Sequence, residues 1–438
     1  MQMTAPLTVS SDLKRELPSH ILRFLPITLF FPVAWMYAGF LLFVMALLVS
    51  GEWSEKWQRI RQHPMFMPTC LMFFVSLLSV VLHPSAQNEL LSSFLHYQIY
   101  AFLLLLISVG PGVWQQRAIH TFFAGALIAS TLFYCASLHL LPEATLFRSY
   151  VIYQGNKSIL LGLLLAIAAA WMLQQWLAHQ NHHGWRLLAF VYVVCALLVG
   201  SKSRTAGLLL ISLLGIIACS VIRWRAWSMA LGASLVLATF FLLYQAAHQA
   251  VPATCLAKEM RDRYQMGGLV ILQTRAICTV QQVREFGKTG NVSEDGMRLQ
   301  IYQNTWELIQ EAPWQGHGMG QWLPLYQEKA KGSVSEKMTT PHNDYLLYWC
   351  ELGIAGLVGL LLTWIWQWRI GVRMRRQGSV HGVTICLLSF SMMFAGAFNA
   401  ILRDALFGLA MLILLAIPLA SYSNVADQSV ENDGLQKK

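Results

Sequence analysis

A histidine set among polar residues opens the last long apolar stretch of the chain, in Thr340-Pro341-His342-Asn343-Asp344-Tyr345. Proline near a first turn, followed by helix formers, predicts a helix start with His342 at its mouth. Imidazole is the side chain best suited to moving a proton near neutral pH, which makes His342 a candidate base. A lone histidine is more often structural, and that alternative stands beside it. Asp344 is either a partner orienting the imidazole or a helix-start charge favoured by the dipole, and Asn343 is a polar neighbour able to meet a substrate.

Cations supply the second kind of chemistry. Ser201-Lys202-Ser203-Arg204-Thr205 joins two apolar runs in about five residues. Lys202 and Arg204 read either as a pair reaching for headgroups or as a cationic site for phosphate. In the second reading the planar fork of Arg204 gives two parallel hydrogen bonds. The hydroxyls of Ser201, Ser203 and Thr205 then add donors at a helix N-terminus, itself a favourable place for an anion. Arg298 is the third candidate. It lies on a segment, Met297 to Gln310, whose Leu299, Ile301, Tyr302, Thr305, Trp306, Leu308 and Ile309 fall on one helical face. It is either a ligand for an anion or a solvated charge paired with Glu294 or Asp295. Pro313 ends that helix, and Gly316, Gly318 and Gly320 mark an irregular loop with room for close backbone approach.

The frame that must position these residues is apolar. Of 438 residues, 56% are hydrophobic and 12% charged, against about 25% charged in soluble domains, and mean hydropathy is +0.50. Long uncharged runs make lipid the main solvent. Twelve apolar segments are expected, near 20–34, 36–50, 66–83, 91–109, 119–140, 158–178, 186–200, 205–222, 227–249, 343–367, 380–398 and 403–421. The first two merge into one bent helix if Pro26 and Pro32 bend the chain rather than break it. The polar start, Met1 to His20, leads into an apolar run with no small-residue cleavage site, so the first segment is expected to remain as an anchor.

Net charge is +10. On a membrane chain this reflects cytoplasmic loops and anionic lipid before any nucleic acid. With the N-terminus in the cytoplasm, inside segments hold sixteen Lys and Arg and the short outside loops five. Both termini are therefore expected inside, and the long polar segment outside. The expected organisation is 1–249 as nine transmembrane helices, 250–342 as a helical cap, 343–421 as three more helices, and 422–438 as a cytoplasmic tail. Six of the eight cysteines fall in or near apolar spans, whereas Cys255 and Cys278 stand in the cap. They are candidates for a disulfide in an oxidising compartment, worth about 3 kcal/mol for a loop of ~20 residues. There is no metal-ligand cluster motif, no paired-carboxylate motif and no glycine-lysine phosphate loop. Few intramembrane acids and no obvious internal repeat weigh against a transporter.

His342-Asn343, nine residues, then Gly353-Ile354-Ala355-Gly356 resembles the H-N-x9-G-x-x-G pattern of O-antigen ligases. The Ser201-to-Thr205 turn resembles the S-x-S-R-T segment of the wider ligase and polymerase superfamily. Arg298, Trp306, Pro313 and Gly316-His317-Gly318-Met319-Gly320 are similar to the arginine-to-glycine portion of the same loop. The resemblance covers about 195 to 360. It implies an all-α polytopic fold of about twelve transmembrane helices, GT-C-like, with one large periplasmic loop. It also implies an inverting glycosyltransferase of the bacterial inner membrane that needs neither metal nor cofactor. The implied donor is a glycan on undecaprenyl pyrophosphate, and the implied acceptor is a sugar hydroxyl of the lipid A core. On this resemblance His342 is the base or orients the acceptor, Arg204 and Arg298 neutralise the pyrophosphate, and Lys202, Ser203, Asn343 and Asp344 support binding. The rival implications are an O-antigen polymerase and a protein O-oligosaccharyltransferase. A lipid-linked glycan flippase is the non-enzyme alternative.

Overall fold

The computed structural model describes residues 9–84, 90–152, 155–178, 184–201, 203–221, 277–286 and 294–422. Every regular element among them is helical. The first half runs α1 (Val9–Phe24), a 3-10 turn (Leu25–Phe30), α2 (Val33–Val49), α3 (Trp53–Gln62), α4 (Phe66–Leu82), α5 (Leu90–Tyr97), α6 (Ile99–Ile107), α7 (Val113–Ser137), α8 (Arg148–Val151), α9 (Gly155–Ala178), α10 (Gly184–Gly200) and α11 (Arg204–Val221). The second half runs α12 (Glu294–Glu311), α13 (Trp322–Lys329), a 3-10 turn (Val334–Lys337), α14 (Asp344–Arg376), α15 (Val380–Phe398) and α16 (Ala405–Leu419).

Four of these helices, α7, α9, α14 and α15, are long and apolar enough to cross a membrane. Two bent pairs, α2 with α3 at 117° and α5 with α6 at 46°, pass the same test jointly, and α4, α10, α11 and α16 are shorter apolar helices. The expected segment 227–249 and the tail after Tyr422 lie outside the described residues. The first expected segment is corrected: 20–34 is not one helix. Pro26 falls at the start of the 3-10 turn and Pro32 caps α2, because each ring removes an N–H that a continuous helix would need. The chain reverses there, and α2 packs back on the 3-10 turn so closely that a Cβ on Gly39 would stand 2.8 Å from Leu25 Cδ1.

Hydrogen bonds between distant residues show which helix ends lie together. Arg375 Nη2 donates to Ser220 O at 2.9 Å, and Gln174 Nε2 to Val380 O at 3.3 Å. With Arg373, Arg375 and Arg376 in the last turn of α14, this is the basic end. There α3 lies across the bundle, and its cations satisfy carbonyls that end other helices. Lys56 Nζ donates to Ser50 Oγ at 2.6 Å and to Gly51 O at the end of α2, and Arg59 Nη1 to Ser108 O at 3.2 Å after α6. At the opposite end, which carries residues 294–343, Asn156 Nδ2 donates to Asp404 Oδ2 at 2.6 Å and Lys157 Nζ to Leu29 O at 2.7 Å.

The core follows from composition. Helix α9 is apolar on every side, as a helix must be when neighbours cover all of it, and it is almost wholly buried. Residues Leu406 to Leu419 of α16 are buried as well. Smaller and separate, a second cluster joins Ile301, Leu308 and Ile309 of α12 with Trp322 and Tyr326 of α13 to Leu347 and Cys350 of α14. It fixes the cap to the bundle.

Candidate functional site

The N-terminus of α14 lies just after Pro341, where a helix start is expected, but it is capped by Asn343, and the residue before the cap is strained. Asn343 is the cap, with extended backbone, and its Oδ1 accepts from Leu346 N at 3.0 Å. Its Nδ2 donates to Ala397 O at 3.0 Å, at the end of α15. His342 has φ +51°, a left-handed conformation that costs a side-chain-bearing residue about 1–2 kcal/mol. The surroundings hold it there: the hydroxyl of Tyr302 on α12 donates to His342 O at 3.3 Å and to Ala397 O at 3.5 Å. Strain kept in place by such contacts is characteristic of sites where a side chain must point in one direction.

Arg298 stands one helical turn before Tyr302 on α12, so the two share a face. Burial, and then the positive charge of Arg298, push the His342 imidazole down to about 4. The ring is therefore neutral at physiological pH and has a lone pair to accept a proton, next to a guanidinium that attracts anions. Burial raises the Tyr302 phenol, against the opposing effects of Arg298 and Asn343. The expected apolar face of α12 is present in Ile301, Leu308 and Ile309, with Thr305 also fully buried, but Trp306 is exposed and meets Trp349 edge-on, the rings 5.4 Å apart.

The glycine loop has a use beyond flexibility. At Gly353, φ +68° and ψ −165° break α14 in two. The break frees the carbonyls of Cys350 and Glu351 and the N–H of Ile354, and residues 313–318 take them up. His317 N donates to Cys350 O and Gly318 N to Glu351 O, both at 2.9 Å, and Ile354 N donates to Pro313 O at 3.1 Å. A Cβ on Gly353 would lie 2.2 Å from Trp314 O, and one on Gly316 2.5 Å from Glu351 O. The spacing between His342 and Gly353 is therefore the length of a half-helix that ends where the loop docks. His317 is structural here: its Nε2 lies 2.7 Å from Leu308 O.

Two expectations are corrected. Asp344 does not face a substrate. Its side chain is fully buried and accepts from Ile401 N at 3.0 Å and Leu402 N at 3.3 Å, so it braces the turn between α15 and α16. Asp344→Ala leaves Leu402 N without its acceptor and Ile401 N with Asn399 O alone, and is expected to cost about 1–3 kcal/mol, read as a lower unfolding midpoint of the purified chain in detergent. Ser203 is likewise buried, and its Oγ accepts from Ala206 N at 3.4 Å. Its oxygen caps α11, and the turn packs on α9 where Gly162 leaves room for Ser201 Oγ. The reason is one that spacing does not reveal: a hydroxyl in a tight turn is claimed first by its own backbone.

Arg204 is half-buried at the first position of α11. The Arg375–Ser220 bond ties the far end of α11 to the basic end, so Arg204 lies at the same end of the bundle as His342 and Arg298. Lys202 lies outside the described residues. Cys278 is buried and disulfide-bonded, and Cys255 lies outside the described residues.

A further cluster escaped the sequence reading. Glu351 on α14 is buried; its Oε2 accepts from Tyr97 OH at 2.6 Å and Gly320 N at 2.9 Å, and its Oε1 from Trp322 N at 3.2 Å. Arg403 Nη1 stands 3.8 Å from the same carboxylate. Together with Ser93, His96, Tyr97, Leu347 and Tyr348 these two line a cleft beside the cap. The signal was present: Glu351 is an acid inside an apolar run, which marks a residue with a specific partner. Among the described residues, no three His, Cys, Asp or Glu side chains are grouped to hold a metal ion.

Residues 187–361, from α10 into the middle of α14, match the family model described as O-antigen ligase. That span includes the Ser201–Thr205 turn, α12, the glycine loop and His342. No curated protein matches the chain.

Proposed function

We propose, from the match of residues 187–361 to the O-antigen ligase family model, that this chain is a multi-pass membrane glycosyltransferase. In this reading it moves a glycan from undecaprenyl pyrophosphate to a sugar hydroxyl of the lipid A core, on the periplasmic face of the bacterial inner membrane. The observation that carries the proposal is the strained His342 at the mouth of α14, its carbonyl held by Tyr302 one helical turn from Arg298, with burial and the charge of Arg298 keeping the imidazole neutral. Group transfer from a pyrophosphate needs both a proton acceptor for the incoming hydroxyl and positive charge for the departing group. His342 takes the proton as the acceptor oxygen attacks the anomeric carbon. The bond from that carbon to the phosphate oxygen breaks with inversion, and the electron pair leaves on undecaprenyl pyrophosphate. Arg298 and Arg204 stabilise the charge that grows there, an effect typically worth ~3–4 kcal/mol per donor. Lys202 and Asn343 support substrate binding.

The proposal includes twelve passes in a GT-C-like arrangement, both termini in the cytoplasm, and residues 250–342 forming the periplasmic cap. Because α9 and α16 are buried, the polyprenyl tail lies against the perimeter helices, entering between them and the cap. The test is reconstitution with a lipid-pyrophosphate glycan and rough lipopolysaccharide in the presence of chelator. A ladder on lipopolysaccharide is expected. Longer lipid-linked chains alone would assign the chain to polymerisation, and neither product would remove the transferase reading.

A further inference from the structure

The basic end holds a second concave site that glycan transfer does not use. Along one side of α14, Val358, Leu362, Ile365 and Trp366 are exposed. Arg369, Arg373 and Arg376 continue the same side at intervals of four and three residues, the spacing that stacks side chains on one helix face. The apolar part extends roughly 12 Å and the cationic part about 10 Å at 1.5 Å per residue. A cleft of about 660 Å³ opens at the cations, walled by these three arginines with Trp366, Trp368 and Tyr422. Among the described residues no acid lines it, and none forms an ion pair with any of the three. Arg375 differs, being directed at Ser220 O.

We propose that this cleft binds a phospholipid whose headgroup carries two phosphodiesters, with its acyl chains along Val358 to Trp366. A topology signal needs only cations in the loop. It does not need a cavity walled by two tryptophans, nor an apolar track aligned with it. Tryptophan at headgroup level and arginine clusters between helices are the features that hold anionic lipid headgroups. Three forks within about 10 Å exceed what one phosphate can engage and suit two, since each guanidinium pairs with a phosphate through two parallel hydrogen bonds. A soluble anion would use the cations and leave the apolar track exposed.

The inference rests on the chain spanning a membrane and is independent of its chemistry. The full chain, purified and delipidated in detergent, is titrated with diphosphatidylglycerol, phosphatidylglycerol, phosphatidylcholine and inorganic pyrophosphate, and bound lipid is read by native mass spectrometry. Saturable binding of one diphosphatidylglycerol is expected, tighter than phosphatidylglycerol. Arg369→Gln/Arg373→Gln/Arg376→Gln weakens it roughly 100-fold and Arg373→Gln alone about fivefold. The single variant keeps the measurement available should the triple variant not fold. Equal binding of the two anionic lipids, equally tight pyrophosphate binding, or undiminished binding by the folded variants would overturn the proposal.

Discussion

His342→Ala is expected to slow glycan transfer by about 10²–10⁴-fold while leaving the chain folded and membrane-inserted. The side chain is only partly buried, and the local hydrogen bonds use the backbone carbonyl of His342 and the side chains of Tyr302 and Asn343, so the fold does not depend on the imidazole. The same assignment fixes a pH dependence. The folded imidazole is displaced to about 4, first by burial and then by Arg298, so the active neutral form predominates above that value and transfer falls as the medium is acidified through it. Linkage gives stability the same direction. An unfolded imidazole titrates near 6.5, so between about 4 and 6.5 the unfolded chain holds the proton and the folded chain does not. The contribution is complete above about 6.5 and shrinks toward about 4. Arg298→Ala removes the second cause but not the first, and the acidic limb of the rate profile moves upward while staying below the ordinary histidine range. Initial rates measured against pH for the wild type and both variants check this, and normal transfer by His342→Ala would discard the base assignment.

Gly353→Ala is expected to cost about 3–5 kcal/mol. At φ +68°, ψ −165° the backbone is in a region essentially reserved for glycine, and the added carbon would overlap Trp314 O. Either α14 straightens and expels residues 313–318, or the half-helix bearing His342 shifts. The measurements are the unfolding midpoint and protease susceptibility of the loop. Gly215→Ala is the contrast: it sits on α11 with open space where its Cβ would be, and alanine there gains roughly 0.5–1 kcal/mol. Comparable losses at the two positions would show that the break in α14 carries no special weight.

How much of this was legible depended on whether local chemistry or distant partners decided the outcome. The start of α14 soon after Pro341 and the end of α12 before Pro313 are local events marked by proline, and they were readable, whereas the capping role of Asn343 was not read. The break at Gly353 was readable only as a motif, because its cause is a loop some forty residues earlier that supplies the missing hydrogen bonds. The interruption of the first apolar run was readable from Pro26 and Pro32, but hydropathy does not distinguish an α-helix from the 3-10 turn that Pro26 starts. Ser203 and Asp344 were misassigned for one reason: polarity near a candidate site shows that a group needs a partner, not which partner it has. Glu351 was passed over although its position among apolar neighbours demanded one, and it has four.

The joint at Gly353 has one more implication. It is made by main-chain atoms on both sides, so it makes few demands on the identity of the side chains nearby beyond the glycines at 316 and 353. Side chains along this joint can change with little effect on it, so the identities that hold the cap in place are concentrated elsewhere, in the two glycines and in the apolar cluster of Ile301, Leu308, Trp322 and Tyr326 on Leu347 and Cys350.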